Sequence, residues 1–125
     1  MIIKNSDNQY FRAGDHTWLT EVLHPKNNLL DLPFSLAFAF LQKDETSLLH
    51  TLNETEVYYI IDGKGEFILE GERHAVEKGD CIVVRPKIEQ SLVNKGDSRL
   101  EFLCIVTPPW TEEGEQILAS PKNDN

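Results

Sequence analysis

Residues 47–65 read SLLHTLNETEVYYIIDGKG. Val57, Tyr58, Tyr59, Ile60 and Ile61 are β-branched or aromatic, side chains that suit a pleated, half-buried surface, so residues 56–61 are expected as a strand. Asp62-Gly63-Lys64-Gly65 follows as an expected tight hairpin turn, its glycines free to take positive φ, and strand-like composition resumes from Glu66 to Glu70. Upstream, Ser47–Leu52 is a further expected strand, on which His50 shares a face with Leu48 and Leu52. A histidine and a carboxylate, His50 and Glu56, are thus presented on neighbouring strands that otherwise build a core.

The same grammar extends to both sides. Residues 1–16 are polar and turn-rich, an expected arm with one short strand near Tyr10-Phe11. Thr17–His24 alternates as a strand, with Trp18, Thr20, Val22 and His24 on one face, and Pro25 ends it. Lys26-Asn27-Asn28 reads as a loop, and Leu29–Pro33 as a connector with room for one helical turn. Phe34–Leu41 is nearly all apolar, as befits a strand covered on both faces or one at a subunit contact. Arg73–Val76, Cys81–Val84, Gln90–Asn94 and Leu100–Val106 complete the expected strands, with turns at Gly71-Glu72 and Lys95-Gly96-Asp97. After Pro108-Pro109, Thr111 is an expected N-cap and Glu112 and Glu113 suit the positive end of a helix dipole. A short helix is expected through Gln116, Ile117 and Leu118 to Ser120-Pro121, then an unstructured tail; Gly114 weakens that helix by about 1 kcal/mol. Many short strands separated by turns argue for an all-β barrel or sandwich.

A chain of 125 residues suits one domain with its own core. The domain is expected over 1–125, with the core at about 17–107, the arm at 1–16 and the helix and tail at 108–125. A net charge of −9 opposes nucleic acid as a partner. No apolar run approaches the ~20 residues of a bilayer span, and MIIKNSDNQY lacks a signal peptide's apolar core, so no membrane is implied. Cys81 and Cys104 each sit in an apolar strand run, where a reduced, buried thiol behaves as a small hydrophobe, which suits a cytoplasmic protein; the sequence leaves a disulfide between them open.

The spacing of His50, Glu56 and Gly63 resembles the first motif of the cupin superfamily, with Leu52 standing where that motif has a second histidine. A second cupin-like motif follows in order: Gly79-Asp80, the strand Cys81–Val84, Pro86, then Gln90 and Asn94, with Gln90 where a histidine is usual. The resemblance covers about Trp18 to Trp110 and is to small single-domain cupins of the conserved-barrel (cupin 2) type. It implies an antiparallel β-barrel, a double-stranded β-helix or jelly roll, with the short C-terminal helix outside. It also implies that His50, Leu52, Glu56 and Gln90 face the interior. In the family three imidazoles and a carboxylate there hold a divalent metal such as zinc, iron, manganese or nickel. Here the donors reduce to His50, Glu56 and Gln90. Leu52 fills space, and Gln90 offers only a neutral amide oxygen, so the metal is expected to bind more weakly than in the usual site.

Beside this stands a plainer reading, in which His50 is a buried neutral histidine hydrogen-bonded to Glu56 or Gln90. Tyr58 shares the Glu56 face and is a further pocket residue; His24, Trp18 and Trp110 are weaker candidates, and His16 and His74 are given no role. Three functions stay open. One is a metal-dependent enzyme on a carbohydrate or oxo-acid, with Glu56 as catalytic proton acceptor or ligand. Another is a metal-free module that binds a small molecule, and the last is a structural or regulatory protein. A homodimer is expected, because one barrel interior absorbs only one face of Phe34–Leu41.

Overall fold

In the computed structural model, which describes residues 1–118, the chain is built almost wholly from antiparallel strands. These are β1 (Phe11–Arg12), β2 (Trp18–Leu23), β3 (Ser35–Leu41), β4 (His50–Leu52), β5 (Thr55–Asp62) and β6 (Lys64–Leu69). They continue as β7 (Glu72–Glu77), β8 (Cys81–Val84), β9 (Gln90–Asn94), β10 (Leu100–Thr107) and β11 (Glu115–Ile117). They form a six-stranded sheet in the order β1-β2-β3-β10-β5-β8 and a five-stranded sheet in the order β11-β4-β9-β6-β7. The core lies between the sheets, where period-two alternation delivers it. Leu100, Phe102, Cys104 and Val106 of β10 stand opposite Leu41, Ala39, Ala37 and Ser35 of β3, and Tyr58 and Ile60 extend the layer from β5. Among the described residues, no helix is long and apolar enough to cross a membrane.

The Phe34–Leu41 run divides its faces as alternation requires. Ala39 and Leu41 are fully buried inside, while Leu36, Phe38 and Phe40 point outward. The arm covers part of that outer face: Tyr10 packs on Phe38 and Phe40, Trp18 stacks on Phe40, and the Arg99 guanidinium lies 3.6 Å from the Phe40 ring centre.

Five local expectations are corrected. Asp62–Gly65 is not a hairpin turn, because β5 and β6 belong to different sheets and the chain crosses between them at Gly63. This corner needs glycine for close approach. A Cβ at Gly63 would sit 2.7 Å from the Arg99 carbonyl oxygen, and one at Gly65 would collide with the Val93 carbonyl. The C-terminal helix is absent from residues 111–118; a turn at Thr111–Gly114 leads instead into β11, which pairs with β4 through Glu115↔Leu52 and Ile117↔His50. The open edge of β4 offers backbone partners that a marginal helix interrupted by Gly114 does not. The expected helix end at Ser120-Pro121 and the tail lie outside the described residues. His24 leaves its strand to cap a single helical turn, Pro25–Asn28, accepting from the Lys26 amide at 3.1 Å; the turn thus falls in the expected loop, before Leu29. Cys81 is exposed on edge strand β8, whereas Cys104 is buried, and both thiols are free.

Candidate functional site

The two-residue period of β4 sends His50 and Leu52 to the interior, and β9 sets Gln90 directly opposite His50. Glu56 enters from the start of β5, and Tyr58 follows on the same inward face. All five side chains are therefore buried: His50 is 1% exposed, Glu56 7% and Gln90 0%. They do not all reach the same space. A cavity of about 150 Å³, large enough for several waters, is lined by His50, Leu52 and Glu56 but not by Gln90 or Tyr58. The Tyr58 hydroxyl donates to Gln90 Oε1 at 2.5 Å, and its ring packs between Phe67 and Phe102, so this pair forms a layer behind the cavity.

His50 is held in a definite orientation. Its Nδ1 lies 2.7 Å from the Leu48 carbonyl oxygen, which can only accept, so Nδ1 carries hydrogen. In the neutral ring Nε2 then presents its lone pair, the form in which imidazole binds a metal or takes a proton. Nε2 faces the carboxylate of Asp15 at 3.7 Å. Asp15 comes from the arm, where its other oxygen accepts from the Thr17 amide and hydroxyl and its carbonyl accepts from the Leu48 amide. Glu115 arrives from β11. One ligand atom each of Asp15, His50 and Glu115 lie within 4.8 Å of one another.

Burial and mutual repulsion disturb the acids. Glu56 is raised from the ordinary 4.5 to about 7, chiefly by burial; His50 offsets this in part, while Asp15 and Glu115 add to it. Glu115 is also raised, by burial and then by Asp15. The Cys104 thiol beneath them is pushed well up by burial and by Glu56, which leaves it unreactive. Glu56 Oε1 and Gln90 Nε2 are buried without a hydrogen-bond partner. Such orphaned atoms are costly inside a protein, and the Glu56 oxygen belongs to a residue of the cavity wall.

Of the weaker sequence candidates, His24 stays outside the cavity and donates from Nε2 to the Trp110 carbonyl at 2.8 Å. Trp110 lines the cavity, Trp18 does not, and His74 is exposed. The sequence reading missed Asp15 and Glu115. Asp15 sits in a stretch that reads as an arm, and Glu115 in one that reads as a helix. The turn signal in Asp15-His16-Thr17 is visible in the sequence, but its destination is not.

A sequence model of the cupin domain matches residues 38–106. The chain is 36% identical over 105 residues to the uncharacterized protein MJ1618 of Methanocaldococcus jannaschii, covering 83% of each. Among solved structures it is similar to a predicted oxalate decarboxylase from Thermotoga maritima, with TM-score 0.75 and 22% identity over 86% of this chain and 99% of that one. It is similar also to Pac13, a nucleoside dehydratase from Streptomyces, with TM-score 0.77 and 17% identity over 94% and 90%.

Proposed function

The chain belongs to the cupin domain family, and from that premise we propose that its interior pocket holds a divalent metal ion and, beside it, a small polar molecule. The observation that carries this reading is the convergence of His50, Asp15 and Glu115 donor atoms within 4.8 Å, on a cavity wall that also bears the unpartnered Glu56 oxygen. The family's own four positions do not supply a full set here, since Leu52 has no donor and Gln90 is engaged by Tyr58 behind the cavity. Asp15 and Glu115 make up the number. His50, Asp15 and Glu115 would then hold the ion, with Glu56 on the cavity wall beside them. This is an oxygen-rich set with one imidazole, donors that manganese and zinc both accept. Such an ion supplies Lewis acidity toward a hydroxyl or carbonyl. Glu56, buried on the same wall with one oxygen unpartnered, is the group placed to take up or return a proton at a ligand in the cavity.

The test is metal analysis of the purified protein, followed by calorimetry with manganese and zinc on wild type and His50→Ala. One ion per chain is expected. The variant should lose more than the roughly tenfold that even an outer partner of a metal site contributes. Equal binding by both proteins would remove the metal reading. A second reading, a metal-free acid–base pocket, is favoured by the near-neutral Glu56 alone, and it would stand if chelated protein kept its ligand affinity.

We also infer that the outer face of the six-stranded sheet meets a second copy of the chain. Leu36, Leu103, Ile105, Val57, Tyr59 and Val83 follow one another across β3, β10, β5 and β8, and Tyr59 and Val83 are 46% and 55% exposed. Those six residues carry no charge in a chain of net charge −9, so two copies can meet there with little local repulsion.

A further inference from the structure

The charge lining the cavity selects its ligand. Asp15, Glu21, Glu56 and Glu115 face it, and His50 is its single nitrogen ring; among the described lining residues there is no lysine or arginine. This is more than an acidic surface. Glu56 is 7% exposed with one oxygen unpartnered, and His50 is 1% exposed with Nε2 turned toward Asp15. The remaining wall is apolar, with Phe11 and Trp110 supplying aromatic surface.

Counting charge decides the sign. The lining carries four carboxylates against no fixed cation, and four ionised carboxylates still outnumber the charge of one dication by two. An anion therefore meets no net positive charge and no fixed cationic side chain to orient it. The protein offers carboxylate oxygens and an imidazole lone pair, which are acceptors and call for a donor in the ligand. The aromatic wall suits either the C–H face of a polyol or an ammonium group.

We propose that the pocket takes a neutral or cationic hydrogen-bond donor, a small hydroxyl- or amine-bearing molecule, and rejects carboxylates and phosphates. This rests on the pocket being a ligand site, as argued above, but not on the metal. Rejection here is the specificity device: a carboxylate would be desolvated beside like charges.

A matched three-carbon series tests it: glycerol, 2-amino-1,3-propanediol and glycerate. Each is titrated at up to tens of millimolar into chelated and manganese-treated wild type, followed by NMR shifts of residues around His50 and by thermal stabilisation. The amine and glycerol should bind in both preparations, with glycerate weaker by at least about tenfold. Glu21→Gln, which neutralises a lining charge outside the proposed donor set, should narrow that gap while leaving glycerol unchanged within about twofold, a result that lost folding alone would not produce. Glycerate binding as tightly as glycerol in either preparation would overturn the proposal, as would the absence of any response to all three. Should manganese fail to bind while the ranking holds, the metal reading falls and this one stands. If manganese binds and glycerate ranks first, the reverse is true.

Discussion

Replacing Glu56 with glutamine removes a charge from the interior with little change of shape. The consequence has a sign and a size. In the metal-free protein Glu56 titrates at about 7 instead of 4.5, chiefly because burial penalises the carboxylate. Between those values the folded chain holds a proton that the unfolded chain has released, so stability falls as pH rises through this window. Below 4.5 the group is protonated in both states and costs nothing; above 7 the whole penalty applies. A shift of that size corresponds to roughly 3 kcal/mol. In chelator, Glu56→Gln should therefore match wild type within about 1 kcal/mol near pH 4 and exceed it by up to about 3 kcal/mol near pH 8, or ~10 °C in Tm. Glu115 is raised too and lowers the stability of both proteins as pH rises, so the informative quantity is the difference between them. Urea denaturation at four or five pH values measures it. Manganese bound beside Glu56 favours its carboxylate and should shrink the difference at high pH. A difference that does not change between pH 4 and 8 would refute the account of Glu56 as a buried, desolvated acid.

Three other outcomes are expected. Leu52→His adds an imidazole to the cavity wall and should tighten zinc binding by about tenfold or more in calorimetry, whereas Gln90→His places one behind the cavity, against Tyr58, and should not tighten it. Wild type should sediment as a dimer at micromolar concentration, and Tyr59→Lys with Val83→Glu, which charges the outer face, should give a folded monomer by sedimentation and circular dichroism. Gly65→Ala forces a methyl group into the Val93 carbonyl and should cost about 2 kcal/mol or more in denaturant titration, or prevent folding.

The sheets were legible because the information is local. Period-two alternation in 56–61 and 100–106, broken by turn residues, leaves few alternatives to strands with one buried face. The errors fall where local chemistry serves two outcomes. Glycines at 63 and 65 suit a hairpin turn and equally a crossing between sheets, and only the backbones of Val93 and Arg99, distant in sequence, require the second. Thr111, Glu112 and Glu113 are sound helix-start residues, yet the unpaired edge of β4 outweighs that weak preference by taking residues 115–117 into its sheet.

The candidate site divides along the same line. His50, Leu52, Glu56, Tyr58 and Gln90 lie on strands of the two sheets, where parity alone sends a side chain inward, and all five are buried. Parity does not say whether an inward residue faces open space or packed neighbours, and that is where Gln90 parts from His50: its amide oxygen accepts from the Tyr58 hydroxyl. Asp15 and Glu115 follow no such rule. One comes from the arm and the other from a strand at the sheet edge, and they meet only because the Leu48 amide ties Asp15 down while Leu49 and Asn53 bond the chain on either side of β11. Both anchoring segments flank His50 in β4. The short strand that carries the imidazole therefore also gathers the two carboxylates, so a change that loosens β4 should dismantle all three donors together. Loss of Asp15 or Glu115 alone should leave the imidazole in place.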